Sequence, residues 1–198
     1  MTDQDQLKQQ AALAAVEYVR SGMVLGLGEG STALHAIRAI GERIENGLLN
    51  DVVAIPCSQA VAQAMHAEGG PETTFSQHPV IDLTIDGADE VDPALNLIKG
   101  GGGALLREKI VAQASQREII IVDDSKLSDK LGTRWPLPIE VLPFGHETQV
   151  TYLENLGAEV SLRLQDDNRP YTTDQGNFIL HANFGPIDDV VALANELD

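Results

Sequence analysis

Cysteine occurs once in the 198 residues, at Cys57. No disulfide can close within the chain, and a reducing cytoplasm is the compartment this suits. Basic residues are scarce: 13 Lys and Arg stand against 30 Asp and Glu, for a net charge of -17. A broad nucleic-acid surface needs clustered Lys and Arg and is excluded. A small anionic ligand is not, because backbone N–H groups and a few basic side chains can bind one locally. No apolar run approaches the length that crosses a bilayer, so no membrane partner is expected. The opening MTDQDQLKQQ is polar and acidic, unlike a secretory or transit signal. Aromatics make up 4% of the chain, and Trp135 and Tyr152 read as packing residues. The five histidines (35, 66, 78, 146 and 181) are scattered without metal-ligand spacing, so no metal site is expected.

Hydrophobic residues at 43% suffice for a packed core. The first two-thirds of the chain alternates helix and strand signals. The pattern predicts helices over 7–20, with Thr2 or Asp3 as a cap, over 31–45 and over 105–114, plus a helix capped by Ser58. It predicts strands over 23–27, 52–55, 80–85 and 119–122. Strands separated by helices imply parallel pairing through crossovers, hence an α/β layered domain. The proline-rich WPLPIEVLPF then reads as a break in regular structure and a change of domain. Beyond it, helices over 148–156 and 187–197 and strands over 159–164 and 178–182 predict a small α+β unit with an antiparallel pair. The expected division is 1–130 and 131–198.

Three glycine- and carboxylate-bearing segments carry chemistry. GLGEGSTA, Gly26 to Ala33, joins a strand to a helix, where backbone N–H groups and the helix dipole favour an anion; Ser31 and Thr32 add hydroxyls. Its G-x-G-x-x-A spacing fits a dinucleotide turn. However, the second strand runs into Pro56, Cys57 and Ser58 instead of the carboxylate that would hold a ribose, which argues against NAD. DGADEVD, Asp86 to Asp92, follows an apolar strand, at the sheet edge where open α/β sheets bind ligands. Its four carboxylates must turn to solvent, meet a cation or hold a proton. An EF-hand is ruled out, since Val91 and Leu97 fall where Gly and Glu are needed. KGGGGALLREKI, Lys99 to Ile110, contains four consecutive glycines, tolerable where backbone must lie against a ligand. Leu106, Ile110 and Val111 are expected to form the apolar face of the helix that follows, with Glu108 projecting away from it. Lys126, in DDSK after a strand, can reach a ligand at the same edge.

GLGEGSTA, DGADEVD and KGGGGALLREKI, in that order and spacing, together with VDDSK, resemble type A ribose 5-phosphate isomerase over residues 7–143. TDQGNFIL in the tail is similar to that family's second-domain motif. The resemblance implies a Rossmann-like, mostly parallel sheet with helices on both faces and a small ferredoxin-like domain, in a cytoplasmic homodimer or homotetramer. It implies interconversion of ribose 5-phosphate and ribulose 5-phosphate, in the non-oxidative pentose phosphate pathway, with no metal and no cofactor. By motif match Glu108 is the proton-transfer base, and Asp86, Asp89 and Lys99 line the reacting end of the sugar. Glu29, Gly30, Ser31, Thr32, Gly87, Ala88, Gly100, Gly101, Gly102 and Lys126 complete the substrate-binding set.

The residue types suit that chemistry. A carboxylate can carry a proton between adjacent carbons, and Lys99 with glycine N–H groups can stabilise the enediolate oxygen. Asp86 or Asp89 can shuttle the hydroxyl proton or help open the sugar ring, and the sequence does not divide these roles between them. Two departures stand out. Glu29 occupies the position where the family's loop carries threonine, placing a carboxylate beside a phosphate site. After Leu197 there is none of the glycine-rich strand segment that the family continues with, so the sequence is either part of a longer chain or a short member. The rival reading is a non-catalytic sugar-phosphate sensor of related fold. Such a module need not keep Glu108 and Lys99, and both are present.

Overall fold

The computed structural model describes residues 2–197. In chain order its elements are helix α1 (Asp3–Val16), strand β1 (Val24–Leu27), α2 (Ser31–Glu45), β2 (Val53–Pro56), α3 (Gln59–Ala67), β3 (Leu83–Asp86), β4 (Glu90–Val91), β5 (Leu97–Ile98), α4 (Leu105–Gln113), β6 (Glu118–Ile120), a 3-10 turn (Asp124–Lys126), β7 (Leu137–Val141), α5 (His146–Asn155), β8 (Glu159–Leu162), β9 (Phe178–Asn183) and α6 (Val190–Leu197). They group into two compact units: residues up to 87 with 106–125, and 88–105 with 126 onward. The linear division expected at 130/131 differs from this interleaved one, because segment 88–105 bonds with the tail: Val91 bridges Leu127, and Ser128 N–H donates to the Val91 carbonyl at 2.9 Å.

The first unit is built on a parallel sheet in the order β2-β1-β3-β6. Leu25 pairs with Ala54 on one side and Leu83 on the other. Leu25, Leu27, Ile55, Leu83 and Ile85 are buried, as parallel strands covered by crossover helices require. Helix α2 has the predicted span, and its Ala33, Ala36, Ile37 and Ile40 are buried. Thr2 caps α1, its hydroxyl accepting from Asp5 N–H at 3.2 Å, and the helix ends at Val16, earlier than the apolar spacing suggested. Ser58 caps α3 by accepting from Val61 N–H at 3.1 Å.

The second unit holds an antiparallel sheet in the order β7-β9-β8 and, as a separate two-stranded sheet, the β4–β5 hairpin. The run β7-α5-β8-β9-α6 with that strand order is ferredoxin-like. Val141, Leu153, Ala158, Leu180 and Ala182 form its core, with Val160 and Leu162 packed against them. The alternate residues Glu159, Ser161, His181 and Asn183 occupy the other sheet face. One expectation is corrected here: the proline-rich segment contains strand β7. Among the described residues β7 pairs with β9 alone and lies at the sheet edge, a place that tolerates Pro138.

Candidate active site

The first unit gathers its chemistry at the carboxyl ends of its strands. β3 ends on Asp86, 1% exposed, whose Oδ1 accepts from Gly87 N–H at 2.7 Å. A Cβ on Gly28 would lie 1.8 Å from that same oxygen, so glycine is required there by the approach of the carboxylate. Gly30 caps α2 with φ 138, and Ser31 and Thr32 open the helix, presenting its N-terminus. Lys8, from α1, donates to the Ser31 hydroxyl at 2.9 Å and lies 4.0 Å from Asp123 Oδ2. Asp123 follows β6 and is 3% exposed. Burial pushes its pKa up, but hydrogen bonds from Ser125 and Gln4 and the Lys8 charge outweigh this and hold it below the usual aspartate value. Glu29 is half-buried between Gly28 and Gly30.

Helix α4 brings in Glu108. The sequence reading put Glu108 away from the apolar face and Ile110 on it; the structure reverses both. Glu108 is 5% exposed and Ile110 is 45% exposed. The reason lies at Val111, whose Cγ1 would meet a Cβ on Gly26 at 2.6 Å. The β1-facing side of α4 therefore runs through Val111, and Glu108, three residues earlier, shares it. The helix ends beside the start of β3, where Ile81 N–H donates to the Ala114 carbonyl at 2.9 Å. Running opposite to the strands, α4 places Glu108 closer than Val111 to their carboxyl ends.

In the second unit, Asp89 Oδ2 accepts from Gly101 N–H at 2.7 Å. Lys99, half-buried, follows β5 and leads into the glycine loop. Gly100 and Gly103 have φ of 95 and 109, and Gly103 N–H donates back to the Gly100 carbonyl at 3.0 Å, closing a turn only glycine adopts readily. A Cβ on Gly101 would meet Trp135 Cζ2 at 2.8 Å. The Lys126 ammonium sits 5.5 Å from the Trp135 ring centre, within cation–π range. Arg163, just past β8, donates to the Gly101 carbonyl at 3.0 Å and to that of Gly102 at 3.4 Å. Ala88, expected to touch substrate, opens this unit half-buried.

The crowded carboxylates of Asp86 to Asp92 find a resolution the sequence did not suggest: main-chain donors. Glu90, 0% exposed, accepts from the N–H groups of Gly132, Arg134 and Trp135 at 2.9, 3.1 and 3.3 Å. Asp92 accepts from Asn96 and Ala94, the Asn96 side chain above all holding its pKa below the usual range. Sequence reasoning missed Lys8, Glu90 and Arg163. Lys8 sits mid-helix outside any motif, and Arg163 on a tail strand end; only Glu90 lay inside a singled-out segment. Among the described residues no three of His, Cys, Asp and Glu come together as a metal-ligand group.

A parallel sheet with a glycine turn and helix N-terminus at one strand end, and buried carboxylates beside it, is the arrangement of an α/β enzyme. Residues 53–198 match the model of the ribose 5-phosphate isomerase A (phosphoriboisomerase A) family. Ribose-5-phosphate isomerase A of Desulfatibacillum aliphaticivorans is 56% identical over 197 residues, covering 100% of this chain and 86% of the relative. The protein of the same name from Chloroflexus aurantiacus is 57% identical, covering 99% and 82%. The solved ribose 5-phosphate isomerase A of Methanocaldococcus jannaschii superposes with a TM-score of 0.92 at 39% identity, over 98% of this chain and 86% of that one. A D-ribose-5-phosphate isomerase solved in complex with phospho-erythronic acid superposes with a TM-score of 0.95 at 38% identity, over 99% and 86%. The chain belongs to the ribose 5-phosphate isomerase A family.

Proposed function

We propose that this chain interconverts D-ribose 5-phosphate and D-ribulose 5-phosphate by proton transfer through an enediolate. The observation that carries the chemistry is Glu108: a carboxylate 5% exposed, on the sheet-facing side of the helix that leaves the glycine loop. Family membership supplies the substrate, and the sensor alternative is not favoured, since the named relatives are isomerases.

Glu108 takes the proton from C2 of the open-chain aldose and returns it to C1, while the hydroxyl proton on O2 passes to O1. Asp86 or Asp89 shuttles that hydroxyl proton; both are held in place by glycine N–H groups. Lys99 and the N–H groups of Gly100 and Gly102 stabilise the enediolate oxygen, whose charge exists only along the reaction path, while Gly101, its N–H held by Asp89, lines the substrate. Gly30, Ser31 and Thr32 at the head of α2 take the phosphate, and Lys8, already bonded to Ser31, adds a positive charge there. Lys126 is a second cation for the substrate, and Glu29, Gly87 and Ala88 complete its surroundings. The similar structure was solved in complex with phospho-erythronic acid, a phosphorylated sugar acid, which supports a sugar-phosphate substrate here. A cytoplasmic homodimer or homotetramer is the state proposed for the working enzyme.

The test is a direct assay of ribulose 5-phosphate formation from ribose 5-phosphate with a chelator present. Sustained turnover is expected. Absence of conversion, with phospho-erythronic acid failing to bind, refutes the reading; loss of turnover that only added metal restores refutes its metal-free form.

A further inference from the structure

The second unit contains a contact that the mechanism above does not use. The Arg163 guanidinium sits against the carbonyls of Gly101 and Gly102 and stacks on the Tyr171 ring, 4.0 Å from its centre. The Tyr171 hydroxyl in turn borders Gly103, where a Cβ would approach it to 2.5 Å. Arg163 is itself fixed at the backbone, its N–H donating to the Ile179 carbonyl and its carbonyl accepting from Tyr171 N–H, both at 2.9 Å. A planar fork held at its base and on its face has little freedom left to lose when it binds two carbonyls.

The consequence follows from the geometry of a trans peptide. The carbonyl of one residue and the N–H of the next point in opposite directions. Holding the Gly101 carbonyl toward Arg163 turns the Gly102 N–H to the far side of the loop. Asp89 holds the preceding plane by accepting from Gly101 N–H at 2.7 Å, and Gly103 N–H closes onto the Gly100 carbonyl at 3.0 Å. Within a run of four glycines, which by itself has wide conformational freedom, these clamps select one arrangement of the peptide planes. The Arg163 charge also polarises the Gly101–Gly102 peptide, making its N–H a stronger donor.

We propose that Arg163 is a positioning residue for the isomerisation, clamping the glycine loop so that the Gly102 N–H is preset as a donor to the enediolate oxygen. This rests on the isomerase reading above. Arg163 touches no reacting atom in this account; it acts through the loop. A donor already aimed before charge develops costs no reorganisation at the moment of reaction.

The experiment compares wild type, Arg163→Ala and Arg163→Lys for kcat, KM, phospho-erythronic acid affinity and thermal midpoint, and repeats the alanine assay with added methylguanidinium. Arg163→Ala is expected to lower kcat by about tenfold to a hundredfold, somewhat less than loss of a whole oxyanion donor, with KM within about threefold. Phospho-erythronic acid should bind correspondingly more weakly. Methylguanidinium should restore part of kcat, and Arg163→Lys, which lacks the planar fork, should stay impaired at a near-wild-type midpoint. Unchanged kcat in both variants overturns the proposal. A rise in KM at constant kcat also overturns it, making Arg163 a substrate clamp. So does an activity loss that follows the thermal midpoint and that methylguanidinium leaves untouched, which is a folding role. An inactive wild type would refute the isomerase reading instead, so the two failures are distinct.

Discussion

At the scale of single residues, the anion loop sets a negative side chain against the charge it is proposed to bind. Glu29 lies half-buried between the glycine that meets Asp86 and the glycine that caps α2, while Lys8 supplies an opposite charge at Ser31. Two unit charges about 4 Å apart interact by roughly 4 kcal/mol at an effective dielectric near 20, and partial exposure reduces that. Glu29→Thr is therefore expected to tighten ribose 5-phosphate binding about tenfold, roughly 1.4 kcal/mol, with the gain shrinking as salt rises. Titration calorimetry at low and high ionic strength checks this, and equal affinities in both conditions contradict it. Asp123 gives a pH prediction. Its folded pKa is depressed, so its stabilisation is complete above the unfolded value, about 3.9, and is lost as pH falls through the folded value. In urea unfolding, the advantage of wild type over Asp123→Asn should be present at pH 7 and shrink at about pH 3. A constant gap would mean that the carboxylate's charge is not what stabilises the site.

Between elements, buried carboxylates act as anchors for backbone. Glu90 on β4 takes three N–H groups of the segment 132–135, which carries Trp135 to its place against Gly101 and under Lys126. Glu90→Ala would leave these donors without their acceptor, and a loss on the order of 3 kcal/mol is expected in denaturant unfolding. A loss under about 0.5 kcal/mol, the range of ordinary surface substitutions, would contradict the anchoring role. Elements of this kind were hard to read from the sequence. A hairpin of two-residue strands has no periodicity to detect, and Pro136, Pro138 and Pro143 hid the edge strand β7. Helix α2 was legible end to end because its apolar residues recur at helical spacing between a capping glycine and Asn46. Helix α4 was legible in span but not in facing. Its inward side is set by Gly26, a contact with a distant strand that leaves room for Val111, so a charged residue rides on the buried face. The motif loops carry the residues proposed for the site, whereas the partners that hold them, Lys8 and Arg163, come from parts of the chain with no local signal.

For the molecule as a whole, a net charge of -17 is compatible with the proposed sugar-phosphate site, because cations and N–H groups can serve an anion locally. Of the residues given roles in the proposal, the glycine turn of 26–33, Asp86 and Glu108 belong to the first unit, and Asp89, Lys99, Lys126 and the clamped glycine loop to the second. The central claim is that this acidic chain is an isomerase whose proton carrier is Glu108. The most direct measurement is the rate of ribulose 5-phosphate formation by wild type and Glu108→Gln, with ribose 5-phosphate affinity measured in parallel. The amide keeps the side chain's shape but cannot accept the carbon-bound proton. Turnover should fall by about a hundredfold to ten-thousandfold while affinity stays within a few-fold. A variant that turns over within a few-fold of wild type would show that another group carries the proton.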